Sequence, residues 1–111
     1  MARANKEATK TIEAENLFTD HIHPMDNMGG LLNLSISGLV DSTVTVQRSY
    51  DANPTAGTAT WRDVTQYVVG DSVNGFVEKV IEGGREGREA YRVGVKTGDY
   101  GTDTVICLIT Q

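Results

Sequence analysis

Residues 31–38 have the sequence LLNLSISG, in which apolar and polar side chains alternate. Leu32, Leu34 and Ile36 fall on one side of an extended chain, and the asparagine and serine residues between them fall on the other. This alternation is typical of a strand with one face in a core and the other in water. The run ends at Gly38, and Asp41 with Ser42 then predicts a turn.

Five further segments have strand-like patterns and are separated by turn residues: 43–50, 61–69, 76–81, 91–96 and 104–110. We expect the strand at 31–38 to form a hairpin with the next one, and the last two strands to pair as neighbours. The apolar residues of 61–69 fit no single period, so their β-branched and aromatic character predicts a strand with a bulge.

These strands follow one another without a long amphipathic helix, which predicts an all-β fold. We expect an antiparallel β-sandwich or jelly roll of about six to eight strands. Residues 6–18 could start a short helix, but Thr9, Thr11 and Ile12 favour extended structure, and Pro24 ends the segment. We therefore predict an extended N-terminal arm at 1–30, followed by a β-sandwich domain at 31–111.

The alternation also predicts which side chains fill the core. These are Leu32, Leu34, Ile36, Val44, Val46, Trp61, Tyr91, Val93 and Val95. Tyr91 stands two residues before Val93, like the corner tyrosine of immunoglobulin-type sandwiches, which predicts a structural role. Cys107 is the single cysteine and has apolar neighbours, so we expect it to be a small buried hydrophobe rather than part of a disulfide.

Length and composition indicate one soluble domain. The chain has 111 residues, 39% of them hydrophobic, and a formal net charge of -5. Its basic residues are scattered, which argues against a nucleic-acid partner, because such binding depends on clustered cations. No stretch approaches the roughly 18 apolar residues of a membrane-spanning helix. The first residues lack the apolar region of a secretory signal, so we expect use without export.

Few residues suggest chemistry. His21 and His23, with Asp20 and Asp26, are the only cluster that resembles a metal site, and two histidines without further spaced ligands fit a solvated loop better. The remaining carboxylates, such as those of the turn at residues 98–103, are explained by the hydrogen bonds that aspartates make in turns. The sequence therefore predicts no metal, no cofactor and no enzymatic activity.

The last strand is apolar on both faces. Val105, Cys107 and Ile109 fall on one side, while Ile106 and Leu108 fall on the other. A sandwich strand needs only one apolar face, so the second must be covered by the N-terminal arm, a neighbouring subunit or another protein. The arm carries spaced apolar side chains of its own, and we expect it to pack on another chain. The candidate interface residues are Ile12, Leu17, Phe18, Ile22, Ile106 and Leu108.

Three runs carry a family resemblance: VQRSYD at 46–51, WRDV at 61–64 and YRVGVKTGDY at 91–100. Over about residues 39–111 the chain resembles small virion proteins of tailed bacteriophages, in particular the β-sandwich decoration, or cement, proteins of the head. The resemblance implies a domain on the outside of the capsid that binds the major capsid protein and itself, commonly as a homotrimer. It also implies synthesis in the host cytoplasm, and no catalytic residues, cofactor, nucleic acid or membrane.

Other functions fit the same patterns. Related sandwiches occur in phage tail and fibre proteins, so both head and tail placement are open. A carbohydrate-binding or adhesion module should expose several aromatic side chains on one sheet face or loop rim. This chain has one Trp, four Tyr and two Phe, most of which fit the predicted core. An enzyme subunit would need a convergent polar pocket, for which the sequence gives no sign.

Overall fold

The computed structural model describes residues 7–24, 31–51, 53–54, 59–82 and 89–111. These residues form two antiparallel four-stranded sheets and one short 3-10 turn at Val69–Asp71. The strands are β1 (Glu7–Ile12), β2 (Leu17–Phe18), β3 (Leu31–Ser37), β4 (Val44–Ser49), β5 (Arg62–Tyr67), β6 (Val77–Glu82), β7 (Ala90–Val95) and β8 (Val105–Thr110). The predicted all-β fold is confirmed.

The strand order is that of a jelly roll. Sheet A has the order β1-β8-β3-β6, and sheet B has the order β2-β7-β4-β5. The chain therefore crosses from one sheet to the other between consecutive strands, except between β4 and β5, which pair in sheet B. An eight-stranded double sheet with this winding belongs to the jelly-roll architecture, one of the two predicted.

Both predicted strand pairings are wrong. β3 and β4 lie in different sheets, as do β7 and β8. Alternation requires only that one face of each strand meets the core, and this holds equally for neighbours in one sheet and for strands that face each other across the core. Between β3 and β4 the chain turns at Gly38, whose φ is 75°, and Leu39 is fully buried as the chain crosses.

The predicted bulge in the 61–69 segment is confirmed. Val46 stands opposite Thr65, whereas the next residue, Gln47, stands opposite Asp63. Val64 is therefore the extra residue on β5, the edge strand of sheet B. The bulge brings the Asp63 side chain next to that of Gln47 on the outer face of the sheet.

The core lies between the two sheets. Its buried members are Ala8, Ile12, Ile22, Leu32, Leu34, Ile36, Leu39, Val44, Val46, Val77, Ile81, Tyr91, Val93, Val95, Val105, Cys107 and Ile109. All the predicted core residues are among them except Trp61, which is half-buried and stacks on the guanidinium of Arg92. The strand-like residues that follow Trp61 favoured a core position, but Trp61 immediately precedes the bulged edge strand β5 and packs on a polar side chain there.

The described part of the N-terminal arm belongs to the sandwich itself. β1 pairs with β8 from Glu7 opposite Thr110 to Ile12 opposite Val105, and it covers an edge of β8 that would otherwise expose unpaired backbone groups. Ile12 and Ile22 are buried in the core of their own chain. The expectation that these two side chains anchor on another chain is therefore corrected, because the core of their own sandwich already encloses them.

Hydrogen bonds to the Asp41 carboxylate and the Ser42 hydroxyl join two loops at one end of the sandwich. Its carboxylate accepts from the Thr102 backbone N–H at 2.9 Å and from the Thr102 hydroxyl at 2.6 Å. The Ser42 hydroxyl accepts from the Gly101 N–H at 2.8 Å. The hydrogen bond from the Thr102 hydroxyl, followed by that from its backbone, lowers the pKa of Asp41. The β3–β4 and β7–β8 connections are thus held together as one rigid end.

Candidate binding surfaces

The outer face of sheet A is a flat strip with few charges. Alternation along β1, β3, β6 and β8 directs one set of side chains away from the core. We call the uncharged members of this set the sheet A face: Thr9, Thr11, Leu31, Asn33, Ser35, Ser37, Val80, Ile106 and Leu108. Three carboxylates, Glu7, Glu78 and Glu82, also face outward from the edge strands β1 and β6.

The cross-strand register places the apolar side chains of the sheet A face beside small polar ones. Leu108 lies between Thr9 and Ser35, and Ile106 lies between Thr11 and Ser37. A depression of about 350 Å³ runs along β3, β6 and β8 and includes Leu108 and Val80 in its lining. The carboxylates on this side, such as that of Glu78, come from the strands at the edges of the sheet. A surface with an uncharged centre and a charged rim is suited to a protein contact.

Of the six predicted interface residues, only Ile106 and Leu108 lie on this face. Ile106 is 44% exposed and Leu108 is partly exposed, while β1 lies beside β8 in the sheet and leaves their outer sides uncovered. Leu17 packs against the core from β2, and the neighbouring Phe18 lies on the outer face of sheet B. The structure therefore divides the predicted set among the core, sheet A and sheet B.

A second apolar surface lies at the end of the sandwich that follows β3 and β5. It consists of Val40, Val68, Val69, Val73 and Phe76, each at least 45% exposed, and we call it the apolar end. The backbone N–H of each of Val73 and Phe76 donates a hydrogen bond to the carbonyl oxygen of the other, across a two-residue turn. That turn has positive φ at Asn74 and Gly75, as in a type I′ hairpin. The apolar end is therefore presented on a fixed backbone.

The outer face of sheet B has a different character, because a guanidinium lies over two aromatic rings. The Arg92 Cζ atom is 4.0 Å from the centroid of the Phe18 ring and 4.2 Å from that of Trp61. We call these three side chains the guanidinium stack. Phe18 reaches this position because β2 passes directly over Gly94, where a Cβ would overlap the Leu17 carbonyl and the Phe18 Cα.

A hydrogen-bonded chain extends from the guanidinium stack across sheet B. Arg92 Nε donates to Gln47 Oε1 at 2.9 Å, and Gln47 Nε2 donates to Asp63 Oδ1 at 3.0 Å. The second oxygen of Asp63 forms an ion pair with Lys96 Nζ at 2.7 Å. Hydrogen bonds from Lys96 and then Gln47 lower the pKa of Asp63, and the bond to Asp63 raises the pKa of Lys96. These contacts fix the orientation of the Arg92 side chain.

A cavity of about 590 Å³ opens beside the guanidinium stack. Its lining includes Phe18, Trp61 and Arg92 from the stack, together with Lys10 of β1 and Asp20 from the segment after β2. Pro54 and Ala59 contribute an apolar side. The cavity is of the size that takes small ligands and combines aromatic, charged and amide groups.

The predicted histidine cluster is only partly assembled. The rings of His21 and His23 meet edge to face with their centroids 5.2 Å apart, and His23 Nδ1 lies 3.1 Å from the Glu89 carbonyl oxygen. Burial, and next the proximity of His23, lowers the pKa of His21. Asp26 lies outside the described residues. Within the described ranges, no group of three or more His, Cys, Asp or Glu side chains is placed to hold a metal ion.

Cys107 is fully buried in β8, as predicted. Burial raises the pKa of its thiol to about 12, because the apolar surroundings disfavour the thiolate. A thiol that stays protonated and enclosed is a poor nucleophile. In the part of the chain that the structure describes, no helix is long and apolar enough to cross a membrane.

The guanidinium stack was missed by the sequence analysis. The alternation did contain a signal for Arg92, since it stands between the inward-facing Tyr91 and Val93 and must face outward. Gly94 is a second signal, because a glycine inside a strand often marks the close approach of another backbone. The identity of that backbone, β2, depends on a pairing between residues far apart in the chain, which local patterns do not encode.

Comparison with protein-family models, curated proteins and solved structures found no match to this chain. The resemblance to phage decoration proteins therefore rests on the three residue runs alone. Two of those runs fall mainly within β4 and β7, and the third spans Trp61 and the start of β5. All three thus contribute to sheet B.

Proposed function

We propose that this chain is a non-enzymatic structural protein of a phage virion, a decoration protein that binds the outside of the head and bridges capsid subunits. The observation that carries the proposal is the sheet A face. The major capsid protein of the assembled shell is its proposed partner, and further copies of the chain, as a homotrimer, are proposed to sit side by side on that shell.

The sheet A face has the properties of a surface that becomes covered. A strand in a two-layer sandwich needs one apolar face, and β8 has two. Val80 is 64% exposed and Leu31 is 47% exposed, so the apolar surface extends across three adjacent strands. By the same alternation Phe76, just before β6, also faces outward, with Glu78 between it and Val80. Exposed apolar side chains on three strands, with small polar side chains between them, are suited to a protein contact.

The size of the face supports attachment through several copies. Four strands of six residues span roughly 19 Å by 20 Å, a footprint of about 400 Å² at ordinary strand spacing and rise. Each partner in a standard interface contributes about 800 Å², twice that footprint. One copy would therefore bind weakly through this face alone. Copies joined in a trimer bind with high effective concentration, and a ligand that binds only the assembled shell stabilises it by mass action.

The jelly-roll fold and the three residue runs support the decoration-protein proposal only by analogy with other proteins. Jelly rolls recur in viral capsid domains and also in lectin domains. The fold does not by itself assign a function. The resemblance to decoration proteins favours the first of these settings, and the uncharged sheet A face supplies a specific surface for it.

The proposal is tested by binding to phage heads stripped of the protein. The variant Val80→Glu/Ile106→Glu places two charges in the sheet A face at positions that are already exposed. Burying these charges against the shell without partners costs free energy, so we expect apparent affinity in co-sedimentation to fall by at least about tenfold. Heated heads refilled with the variant should burst sooner than heads refilled with the natural protein.

Val64→Glu is the matched control. It adds a charge to an exposed valine of β5, on the opposite sheet, and should bind heads like the natural protein. Thermal melting of all variants confirms that they fold. Equal binding of the double variant and the natural protein would overturn the assignment of the sheet A face. Binding to isolated tails and not to heads would favour a tail protein instead.

A further inference from the structure

The guanidinium stack holds Arg92 in a defined plane with one edge available. The Arg92 Cζ atom lies over both the Phe18 and the Trp61 rings, 4.0 Å and 4.2 Å from their centroids, and Gln47 accepts from Arg92 Nε. The four N–H groups on the terminal nitrogens lie in the guanidinium plane and take no part in the bond to Gln47. A guanidinium held in this way is prepared to donate two parallel hydrogen bonds to one oxyanion, with little loss of side-chain entropy on binding.

The charge of Arg92 has no carboxylate partner among the described residues. Asp63, the nearest acid in its hydrogen-bonded chain, is bonded to Gln47 and Lys96 instead. The guanidinium is also half-buried, and the resulting desolvation lowers the pKa of Arg92. An unpaired, partly desolvated cation on an acidic protein is a favourable place for an anion.

The cavity beside the stack adds the groups that a sugar requires. Asn16 and Asp20 in its lining can accept hydrogen bonds from hydroxyl groups, and the Trp61 and Pro54 side chains offer apolar surface for a sugar ring. Lys10 brings a second cation. Two cations against the single carboxylate of Asp20 leave one net positive charge, which matches a monoanion better than a phosphate dianion.

We propose that this cavity binds an acidic sugar, with the sugar carboxylate bound in two-point fashion by the in-plane edge of Arg92. The ammonium group of Lys10 attracts the sugar carboxylate, and the side chains of Asn16 and Asp20 accept hydrogen bonds from the ring hydroxyls. The site lies on sheet B, opposite the sheet A face, so a virion protein docked through sheet A would present it outward. The sugar site stands whether or not the docking proposal does.

Trp61 provides a direct readout because it is the single tryptophan of the chain and lies in the stack. The full-length protein is titrated with D-glucuronate while tryptophan emission is recorded, and calorimetry is run in parallel to detect binding that leaves emission unchanged. D-Glucose serves as the matched ligand that lacks only the carboxylate, and inorganic phosphate serves as the non-sugar oxyanion. We expect saturable binding of glucuronate that is at least about tenfold tighter than that of glucose or phosphate.

Variants distinguish bidentate hydrogen bonding by the Arg92 guanidinium from the general attraction of a positive charge. Arg92→Gln should weaken glucuronate binding at least about tenfold, and Arg92→Lys should recover only part of the loss because lysine lacks the planar fork. Arg62→Gln removes a cation from an exposed position on β5 and should leave binding unchanged. Melting curves show whether each Arg92 variant folds. If one does not, Lys10→Gln tests the site instead, and its glucuronate affinity should lie between those of the natural protein and Arg92→Gln.

Three results would overturn the proposal. The first is the absence of saturable glucuronate binding by both fluorescence and calorimetry. The second is equal binding of glucose, which would show that the carboxylate is not recognised. The third is preference for phosphate over glucuronate, which would make the cavity a phosphate site instead of a sugar site.

Discussion

Replacing Ile12 with alanine tests whether the N-terminal segment belongs to the chain's own sandwich. Ile12 is the last residue of β1, stands opposite Val105 of β8 and has no exposed surface. Shortening a fully buried isoleucine removes its packing contacts and leaves a cavity that the surrounding structure fills only in part. Such substitutions cost about 2–5 kcal/mol in the free energy of unfolding.

The expected change in melting temperature follows from the chain length. At about 2.1 cal/mol/K per residue, 111 residues give an unfolding entropy of about 0.23 kcal/mol/K. A loss of about 2–5 kcal/mol therefore lowers the melting temperature by about 9–21 °C. Circular dichroism at the strand minimum, recorded during heating of the isolated protein, measures this shift directly.

Thr11→Ala is the control from the same strand. Thr11 is exposed on the sheet A face opposite Ile106, so its loss should cost about 1 kcal/mol or less and lower the melting temperature by about 4 °C at most. If Ile12→Ala and Thr11→Ala shift the melting temperature equally, β1 does not contribute its buried face to the fold. In that case the segment would be free to anchor on another chain.

Three further outcomes are expected. Gly94→Ala should destabilise the protein by about 1–3 kcal/mol and change Trp61 emission, because the new Cβ displaces β2, whereas Gly70→Ala, which meets no neighbour within 4 Å, should do neither. The lowered pKa of Asp41 means that its stabilising contribution is present above the ordinary pKa of 3.8 and is lost as the pH falls through the lower folded value. The Asp41→Asn variant should therefore have a lower melting temperature than the natural protein at neutral pH. On acidification below the folded pKa of Asp41, its melting temperature should fall by less than that of the natural protein. An equal fall in both proteins would contradict this account. Cys107 should resist maleimide at pH 8 until denaturant unfolds the chain, as mass spectrometry would show, and rapid labelling of the folded protein would contradict its burial.

Local alternation predicted six of the eight strands in the described residues, β3 to β8, and eight members of the core, whereas β1 and β2 fell in the segment expected to be an arm. Leu32, Leu34 and Ile36 face the core as their spacing requires, and the irregular spacing around Val64 marked a true bulge. These features depend on residues close in sequence. The partner of each strand does not, because the same alternation suits a neighbour in the sheet and a strand across the core. The predicted pairings failed for this reason.

The binding surfaces were predictable only where one strand defines them. Ile106 and Leu108 were identified as an exposed apolar pair because the alternation of β8 alone shows its two faces. The guanidinium stack combines β2, β7 and the residue before β5, three segments that meet only after the sheets have formed. Trp61 was therefore predicted as a core residue from the strand-like residues that follow it, although its actual partner is the Arg92 guanidinium.

The most direct test of the proposed function is a cryo-EM reconstruction of the phage particles to which the proposal assigns the chain. We expect density for the jelly roll on the outer surface of the head, in groups of three copies, with the sheet A face toward the shell and the cavity beside Arg92 toward solvent. Density confined to the tail, or particles that lack the protein, would contradict the decoration role. Copies on the head that turn sheet A outward would contradict the docking surface.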